Sequence, residues 1–361
     1  MNVTGAEFEP PHLAGKQFLA ATEGCNFTLI SPRNSCPYIN LSHNTEPVPR
    51  TGIAIIQPTF VNMGKKTRPE PLVILPSSAH THTTILLHGR GSNAERFAFD
   101  QCTPNKPGIL ECRDSSGKTL RQLFPSMKFV FPTAPLRRST AQNRTTMNIW
   151  FDNSSFIDPF EREETQVQGL AENFQYIEQL ILAEARAVSL RKVFLGGISQ
   201  GCAMALHVLL GLAAEGRCPD VRLGGFIGMS GWLPFQSAVN NLLSSSSEDE
   251  DGVENPFASE TEHCDDQDND NLNIKVAQFI REDIMAAPSY DKQLLVLRCT
   301  PIFLAHGDQD DVVEIKYGEN AMAALSHMGL NIYWKTYEQQ GHWYKVPDTI
   351  DDIVGFLENN M

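Results

Sequence analysis

The sequence lacks several features that would place the protein in other classes. No apolar run of roughly 18 residues is present, so no transmembrane anchor is predicted. The first residues do not join a basic segment to an apolar core, so no secretory signal peptide is expected. No basic stripe suggests nucleic-acid binding. The eight cysteines lack the paired spacing of zinc sites, which favours free thiols and a cytoplasmic location. No feature of the sequence indicates an oligomeric state.

Negative charge is abundant, but it is concentrated in one segment. The formal net charge of the 361 residues is −14, and residues 244–273 contain eleven acidic residues and neither lysine nor arginine. A serine-rich, self-repelling segment of this kind is typical of disorder, so we predict an acidic disordered insertion at about 244–273. Its oxygen-rich part lacks the spaced glycine and closing glutamate of an EF-hand loop, so no metal site is predicted.

The rest of the chain divides into a leader and one domain. Residues 1–62 are rich in proline and polar residues, which predicts a poorly ordered N-terminal extension. From residue 63 to 361, apolar strands alternate with amphipathic helices such as the one predicted over 164–188. This alternation predicts an α/β domain with a mostly parallel central sheet and helices on both faces.

The most informative motif lies at a predicted strand-to-helix junction. An apolar stretch at 191–195 predicts a strand and 200–215 a buried helix, and between them the chain reads Gly197-Ile-Ser199-Gln-Gly201. In a nucleophile elbow, such a turn exposes the serine hydroxyl, and the glycines let the backbone close up on both sides. The motif therefore predicts that Ser199 is a nucleophile. A glycine-rich packing turn is the alternative.

A nucleophile elbow predicts that an acidic residue follows a later strand. The apolar stretch at 301–307 ends in glycine and is followed by three acids. We favour Asp310, because its position leaves room for the chain to turn away from the strand. Asp308 and Asp311 remain alternatives, although a turn former and a helix N-cap are their ordinary roles.

The general base is expected near the C-terminus. Among the ten histidines, His342 lies in a loop between a strand predicted over 331–337 and a helix predicted over 347–358. A base in that loop can reach Ser199. A loop histidine packed on Trp343 is the alternative. Two other histidines, His88 and His306, precede glycines at strand ends and are expected to hydrogen-bond loop backbone.

The donors of an oxyanion hole are expected in an early loop. A strand predicted over 83–87 is followed by a loop at 88–93 that contains two glycines, which allow close approach of the backbone to a reacting carbonyl. We predict that the backbone amides of Arg90 and Gln200 are the two donors. A flexible turn is the alternative for this loop.

The motifs together carry a resemblance to a known family. The chain resembles the acyl-protein thioesterase and phospholipase/carboxylesterase family of α/β-hydrolases, and within it filamentous-fungal members. The similarity covers about residues 71–234 and 299–358. It is carried, in family order, by Leu86-Leu-His-Gly-Arg-Gly91, Trp150-Phe-Asp152, Leu195-Gly-Gly-Ile-Ser-Gln-Gly201, Met229-Ser-Gly-Trp-Leu-Pro234, Ala305-His-Gly-Asp-Gln-Asp310 and Tyr337-Glu-Gln-Gln-Gly-His342.

The resemblance implies an α/β-hydrolase that cleaves carboxylic esters or thioesters through an acyl-enzyme on Ser199, without a metal or cofactor. S-acylated proteins and lysophospholipids are the implied substrates. An acyl-protein thioesterase or carboxylesterase is therefore expected, with a lysophospholipase or general small-ester carboxylesterase as the alternative. An inactive hydrolase fold used for binding is the non-enzyme alternative. The resemblance also implies that Trp150 and Trp232 wall the acyl site, unless both are core aromatics.

The chain departs from the family pattern at three positions. Arg90 and Ser92 stand where the thioesterases usually carry leucine and aspartate, and Cys202 replaces the usual glycine after the elbow. The backbone donor at position 90 is unaffected. A cation at the pocket mouth is nevertheless expected to change the substrate preference.

Overall fold

A computed structural model describes residues 68–100, 106–215, 222–244, 265–285, 293–297 and 299–361. The predicted N-terminal extension and most of the acidic insertion lie outside the described residues. Within the described ranges, no helix is long and apolar enough to cross a membrane.

Short segments form the strands, and those of the central sheet are mostly apolar. In chain order they are β1 (Leu72–Ile74), β2 (His82–Leu87), β3 (Met127–Phe131), β4 (Leu136–Ser139), β5 (Thr145–Asn148), β6 (Val193–Ile198), β7 (Ala213–Glu215), β8 (Gly225–Met229), β9 (Gln293–Leu295), β10 (Ile302–Gly307) and β11 (Ile332–Tyr337).

Seven of these strands form the central sheet, in the order β1-β3-β2-β6-β8-β10-β11. The first strand is antiparallel to its neighbour, and every other neighbouring pair is parallel. Two antiparallel pairs, β4 with β5 and β7 with β9, lie outside this sheet. The mostly parallel sheet confirms the predicted fold class.

The helices lie in the segments between the strands. In chain order they are α1 (Ala94–Phe99), α2 (Leu120–Leu123), α3 (Val167–Val188), α4 (Gln200–Gly211), α5 (Gln236–Ser244), α6 (Asp265–Gln278), α7 (Ile315–His327) and α8 (Asp348–Asn360). A π-helical turn, Phe279–Ile284, continues directly from α6.

The central strands are apolar on both sides because helices cover both faces of the sheet. Side chains of adjacent strand residues point to opposite faces, so neighbouring residues enter different cores. Leu195 packs in the cluster that contains α3, α4 and α7. Phe194 packs in the cluster that contains α1, α2 and α8. The expectation of helices on both faces is thus confirmed.

The helix that follows Ser199 is shorter than the sequence predicts. It ends at Gly211, and residues 213–215 form a strand paired with Gln293–Leu295 instead of continuing to residue 215. Gly211 lies against Phe174, where an added Cβ would be 2.8 Å from the ring. Pairing with a segment about 80 residues later overrides the local helical pattern, because main-chain hydrogen bonds to β9 replace those of another helical turn.

The predicted acidic disorder also differs in part from the structure. Ser244 ends α5, and residues 265–273 belong to α6, so these parts of the segment are helical. The helix and its π-helical continuation bury Val276 and Ile280 in the core, and the Asn273 side-chain amide donates to the Met328 carbonyl at 3.3 Å. Apolar residues C-terminal to the acidic run anchor the helix, an effect that charge composition does not reveal.

Candidate active site

Most predicted site residues lie at one edge of the central sheet. In a parallel sheet the carboxyl ends of the strands lie along the same edge, where ligand sites of open α/β sheets form. The loops that follow β2, β6, β8, β10 and β11 at this edge contain, in that order, Arg90, Ser199 with Gln200, Trp232, Asp310 and His342.

Ser199 lies in a strained turn between β6 and α4. Its φ of 56° and ψ of −126° are unusual for a residue with a side chain. The Ser199 amide donates to the Met229 carbonyl at 2.9 Å, and its carbonyl accepts from the Ala203 amide at 3.0 Å. These bonds fix the turn while the serine itself remains partly exposed. This is the geometry expected of a nucleophile elbow.

The two glycines of the motif are required by close backbone contacts. A Cβ atom at Gly197 would lie 2.7 Å from the Leu87 carbonyl oxygen, and one at Gly201 would lie 2.2 Å from the same atom. The obstacle in both cases is the backbone of the neighbouring strand, which cannot rotate away as a side chain can. The sequence argument for glycine on both sides of Ser199 therefore has a direct steric basis.

Asp310 and His342 are hydrogen-bonded to each other. His342 Nδ1 lies 2.8 Å from Asp310 Oδ2, and Asp310 Oδ1 accepts from the amides of Val312 at 3.0 Å and Val313 at 2.8 Å. The Asp310 side chain is fully shielded from solvent. Both alternative acids, at positions 308 and 311, are exposed. The Asp310 carboxylate is thus the acid that the fold joins to His342.

Backbone contacts bring the loops of Asp310 and His342 together. The Gln309 amide donates to the Gln340 carbonyl at 3.0 Å, and the Asp308 amide donates to the Tyr337 carbonyl at 3.1 Å. A Cβ at Gly307 would lie 2.1 Å from the Gln340 oxygen. Only a glycine fits where the two backbones come this close. Gly307, which ends β10, therefore permits the contact between the two loops.

A third member of this cluster was missed by sequence reasoning. His306 Nε2 lies 2.8 Å from the Val313 carbonyl and 3.3 Å from Asp310 Oδ2, and the ring is buried. The predicted bond to loop backbone is confirmed, but the contact with the carboxylate was not foreseen. The only sequence signal for this contact is the spacing of four residues between His306 and Asp310 at the end of β10.

The hydrogen bonds around Asp310 keep it ionised. Burial by itself raises the pKa of the Asp310 carboxyl, but hydrogen bonds from His306, His342 and the Val313 amide outweigh burial and hold the pKa well below its usual range. An ionised Asp310 accepts the hydrogen bond that the Nδ1–H group of His342 donates. In the neutral imidazole the lone pair then resides on Nε2, the atom that can act as a base.

The predicted oxyanion donors belong to loops that are fixed by polar contacts. The amide of Gln200 is in the first turn of α4, where helical N–H groups have no intrahelical partner. The Gln200 side chain donates to the Phe151 carbonyl at 2.7 Å and to Asn153 Oδ1 at 2.8 Å. The loop of Arg90 is held by the Gly91 amide, which donates to the Asn148 carbonyl at 2.8 Å.

The second loop histidine behaves as predicted. His88 Nδ1 lies 2.7 Å from the Gly89 carbonyl, and the Ala134 amide donates to His88 Nε2 at 3.0 Å. Burial lowers the pKa of His88 to about 4, so the ring is neutral and supports the loop before Arg90.

A cavity of about 370 Å³, counted with its open mouth, adjoins the elbow. Its lining includes Ser199, Gln200, Arg90 and Trp232. Apolar side chains, among them Phe156, Val312 and Val313, form much of the remaining wall. The amides of Val312 and Val313 also bond to Asp310, so the Asp310 carboxylate lies next to a wall of the cavity that Ser199 lines.

The two tryptophans that the resemblance implied for the acyl site have different places. Trp232 lines the cavity and makes an edge-on contact with Phe151, with ring centroids 6.0 Å apart. Trp150 is fully buried. Its indole N–H donates to the His88 carbonyl at 2.8 Å, and its backbone amide donates to Gln200 Oε1 at 3.0 Å. Trp150 therefore connects the elbow to the early loop from within the core.

Comparisons with known proteins agree with this geometry. The family model described as phospholipase/carboxylesterase matches residues 115–250, which include Ser199. Acyl-protein thioesterase 1 of Gibberella zeae is 26% identical over 295 residues, which are 81% of this chain and 95% of that protein. Over these residues the chain is similar to the phospholipase/carboxylesterase family of α/β-hydrolases. It is an ester or thioester hydrolase.

Further matches extend the likeness along the chain. A prolyl oligopeptidase family model matches residues 254–361, which include Asp310 and His342. Acyl-protein thioesterase 1 of Neurospora crassa is 26% identical over 302 residues, which are 83% of this chain and 95% of that protein. This similarity is in keeping with the expected filamentous-fungal type. The crystal structure of Zea mays acyl-protein thioesterase 2 shares the fold, with a TM-score of 0.51 and 24% identity over 81% of this chain and 98% of that chain.

Within the described residues, no group of three or more His, Cys, Asp or Glu side chains is arranged to hold a metal ion.

Proposed function

We propose that Ser199, His342 and Asp310 form a catalytic triad for two-step acyl transfer. The observation that carries the proposal is the 2.8 Å hydrogen bond between His342 Nδ1 and Asp310 Oδ2, at the same edge of the sheet as a serine in a strained, glycine-flanked turn. That bond fixes the tautomer of His342 and leaves Nε2 as the base.

In the first step, His342 takes the proton from the Ser199 hydroxyl as the oxygen attacks an ester or thioester carbonyl. The ionised Asp310 stabilises the imidazolium that forms. His342 then gives the proton to an alkoxide as it leaves; a thiolate can leave unprotonated, and the proton then passes from His342 to the thiolate or to solvent. In the second step, water activated by His342 attacks the acyl-enzyme and releases the acid and Ser199.

The amides of Gln200 and Arg90 are the proposed oxyanion donors. They lie at the start of α4 and in the loop after β2, both at the carboxyl edge of the sheet. Donors fixed in advance stabilise the negative charge that develops on the carbonyl oxygen, and the loss of one typically costs about 3 kcal/mol.

Protein S-acyl thioesters are the proposed substrates. Two relatives named acyl-protein thioesterase 1 match this chain over 95% of their length, and apolar side chains of the cavity wall suit an acyl chain. Carboxyl esters and lysophospholipids are the alternative. A cytoplasmic location is part of the proposal, supported by free thiols at Cys112, Cys202 and Cys299.

The triad is tested by Ser199→Ala with a short p-nitrophenyl ester. We expect turnover to fall by about 10⁴-fold or more, because the nucleophile is lost while the fold is retained. Ser326→Ala is the matched control, since Ser326 is exposed on α7, and it should keep full activity. Circular dichroism would show that both variants fold. Turnover by folded Ser199→Ala close to that of the parent protein would refute the assignment.

The substrate class is tested by comparing kcat/KM for an S-palmitoyl peptide with kcat/KM for short-chain oxygen esters and a lysophospholipid. A thioesterase should favour the palmitoyl peptide. A preference for the small esters or the lysophospholipid would instead assign the protein to the alternative.

A further inference from the structure

The Arg90 side chain occupies the mouth of the cavity beside Ser199. Its guanidinium carbon lies 4.1 Å from the centroid of the Phe156 ring, and both residues line the cavity. Phe156 is 43% exposed, so the pair lies where the cavity opens to solvent. Stacking of the planar guanidinium on the ring leaves the N–H donors along its edge free to bind another group.

The Arg90 guanidinium is a partly desolvated cation. Burial lowers the pKa of Arg90 to about 10, against the opposing effect of Asp152, so the group stays protonated at neutral pH. The Asp152 carboxylate is itself engaged, because it accepts from the Thr140 amide at 2.8 Å and from the Thr140 hydroxyl. Among the described residues, no carboxylate oxygen lies within 4.0 Å of the Arg90 nitrogens.

A partly desolvated cation that no carboxylate contacts directly is less stable than one paired with an anion, and a ligand can supply that anion. Guanidinium groups bind carboxylates and phosphates through paired, charge-assisted hydrogen bonds. We propose that Arg90 recognises an anionic group on the substrate, so that the preferred esters or thioesters carry a carboxylate or a phosphate near the reacting carbonyl. This inference rests on the proposed function of Ser199, whose cavity Arg90 shares.

The test compares matched substrates that differ in charge. S-Butyryl-3-mercaptopropionate is paired with its primary amide, and the monothioester of adipic acid is paired with its terminal amide. These pairs put the carboxylate on the leaving group or on the acyl group. A third pair, 1-butyrylglycerol 3-phosphate and 1-butyrylglycerol, tests a phosphate. We expect a kcat/KM about 10- to 100-fold higher for the charged member of at least one pair, the usual range for a hydrogen bond to a charged group.

Two variants attribute the preference to Arg90. In Arg90→Leu the charged-to-neutral ratio should fall to near one, and Arg90→Lys should keep part of it. The ratio compares two substrates on one protein, so any disturbance of the backbone amide at this position affects both members and cancels. If Arg90→Leu does not fold, Arg90→Gln removes the charge with a polar side chain of similar length.

The outcomes separate this inference from the proposed function. A preference for a charged member that is lost on removal of the Arg90 charge supports the inference. Hydrolysis of both members at equal rates, or an unchanged ratio in the uncharged variants, overturns the inference and leaves the triad intact. If the parent protein hydrolyses no member of any pair, the proposed function fails and the inference fails with it.

Discussion

Two regions of the site are held in place by different physical means. The turn around Ser199 is fixed by steric exclusion, since a Cβ at Gly197 or Gly201 would collide with the Leu87 carbonyl. The Asp310–His342 pair is instead fixed by polar contacts, with both carboxylate oxygens of Asp310 occupied by hydrogen bonds. The position of Ser199 therefore depends on the absence of side chains at two neighbouring residues, and the position of the Asp310–His342 pair depends on hydrogen bonds.

This difference determines how each region should fail. A substitution that adds atoms to the turn should disrupt the packing of the backbone and with it the fold. A substitution that removes a hydrogen bond near Asp310 should leave the fold intact and lower the rate of the reaction. The variants below separate these two responses.

The largest effect is expected for Gly201→Ala. Its Cβ would lie 2.2 Å from the Leu87 oxygen and 2.5 Å from the His88 oxygen, so the strand and helix must separate. We expect a loss of about 3 kcal/mol or more in the free energy of unfolding, and no activity. Gly355→Ala in α8 is the control, because a Cβ there meets no atom within 4 Å, and it should be neutral or slightly stabilising. Equal unfolding midpoints in urea for the two variants would contradict the steric account.

Asp310→Asn should fold but react slowly. The amide cannot stabilise the imidazolium and favours the wrong tautomer of His342, so kcat should fall by about 10⁴-fold. Steady-state kinetics with a short ester measure the effect. A loss below about tenfold in a folded variant would show that Asp310 is not the acid of the triad.

Because His306 contacts the Asp310 carboxylate, we expect it to affect the reaction through Asp310, as a positioning residue. In His306→Leu the carboxylate loses one hydrogen-bond donor, and we expect kcat to fall by roughly 10-fold with little change in KM. His306→Gln keeps an N–H donor and should restore part of the rate. If the leucine and glutamine variants lose activity equally, or if KM alone changes, the positioning role is wrong.

The smallest expected effect concerns stability at acid pH. Hydrogen bonds depress the pKa of Asp310 in the folded state, so its ionised form stabilises the fold above its unfolded pKa of about 3.9, and this contribution is lost as the pH falls through the folded value. The Tm difference between the parent protein and Asp310→Asn should therefore be largest at neutral pH and shrink below about pH 4. A difference that grows on acidification would contradict this assignment of the charge.

Sequence patterns predict the steric region better than the polar one. The strand before Ser199, the helix after it and the need for both glycines can be inferred from the local sequence, because all of them lie within a few residues of one motif. The actual end of α4 at Gly211 could not be inferred, since it depends on pairing between β7 and the distant β9.

The polar region depends on contacts between segments that are far apart in the chain. The choice of Asp310 and His342 from their positions agrees with their hydrogen bond, but the contact of His306 with Asp310 depends on burial and on the path of a loop. The position of Trp150 could not be inferred from its motif either. The motif does not distinguish a residue that lines the cavity from a buried one whose indole N–H donates to the His88 carbonyl.

Covalent labelling tests the central claim most directly. A fluorophosphonate probe reacts with a serine only when a neighbouring base activates it, and mass spectrometry of the digested protein identifies the modified residue. The account predicts a single adduct on Ser199, greatly slowed in His342→Ala. An adduct on a different serine, or no adduct on a protein that hydrolyses esters, would contradict it.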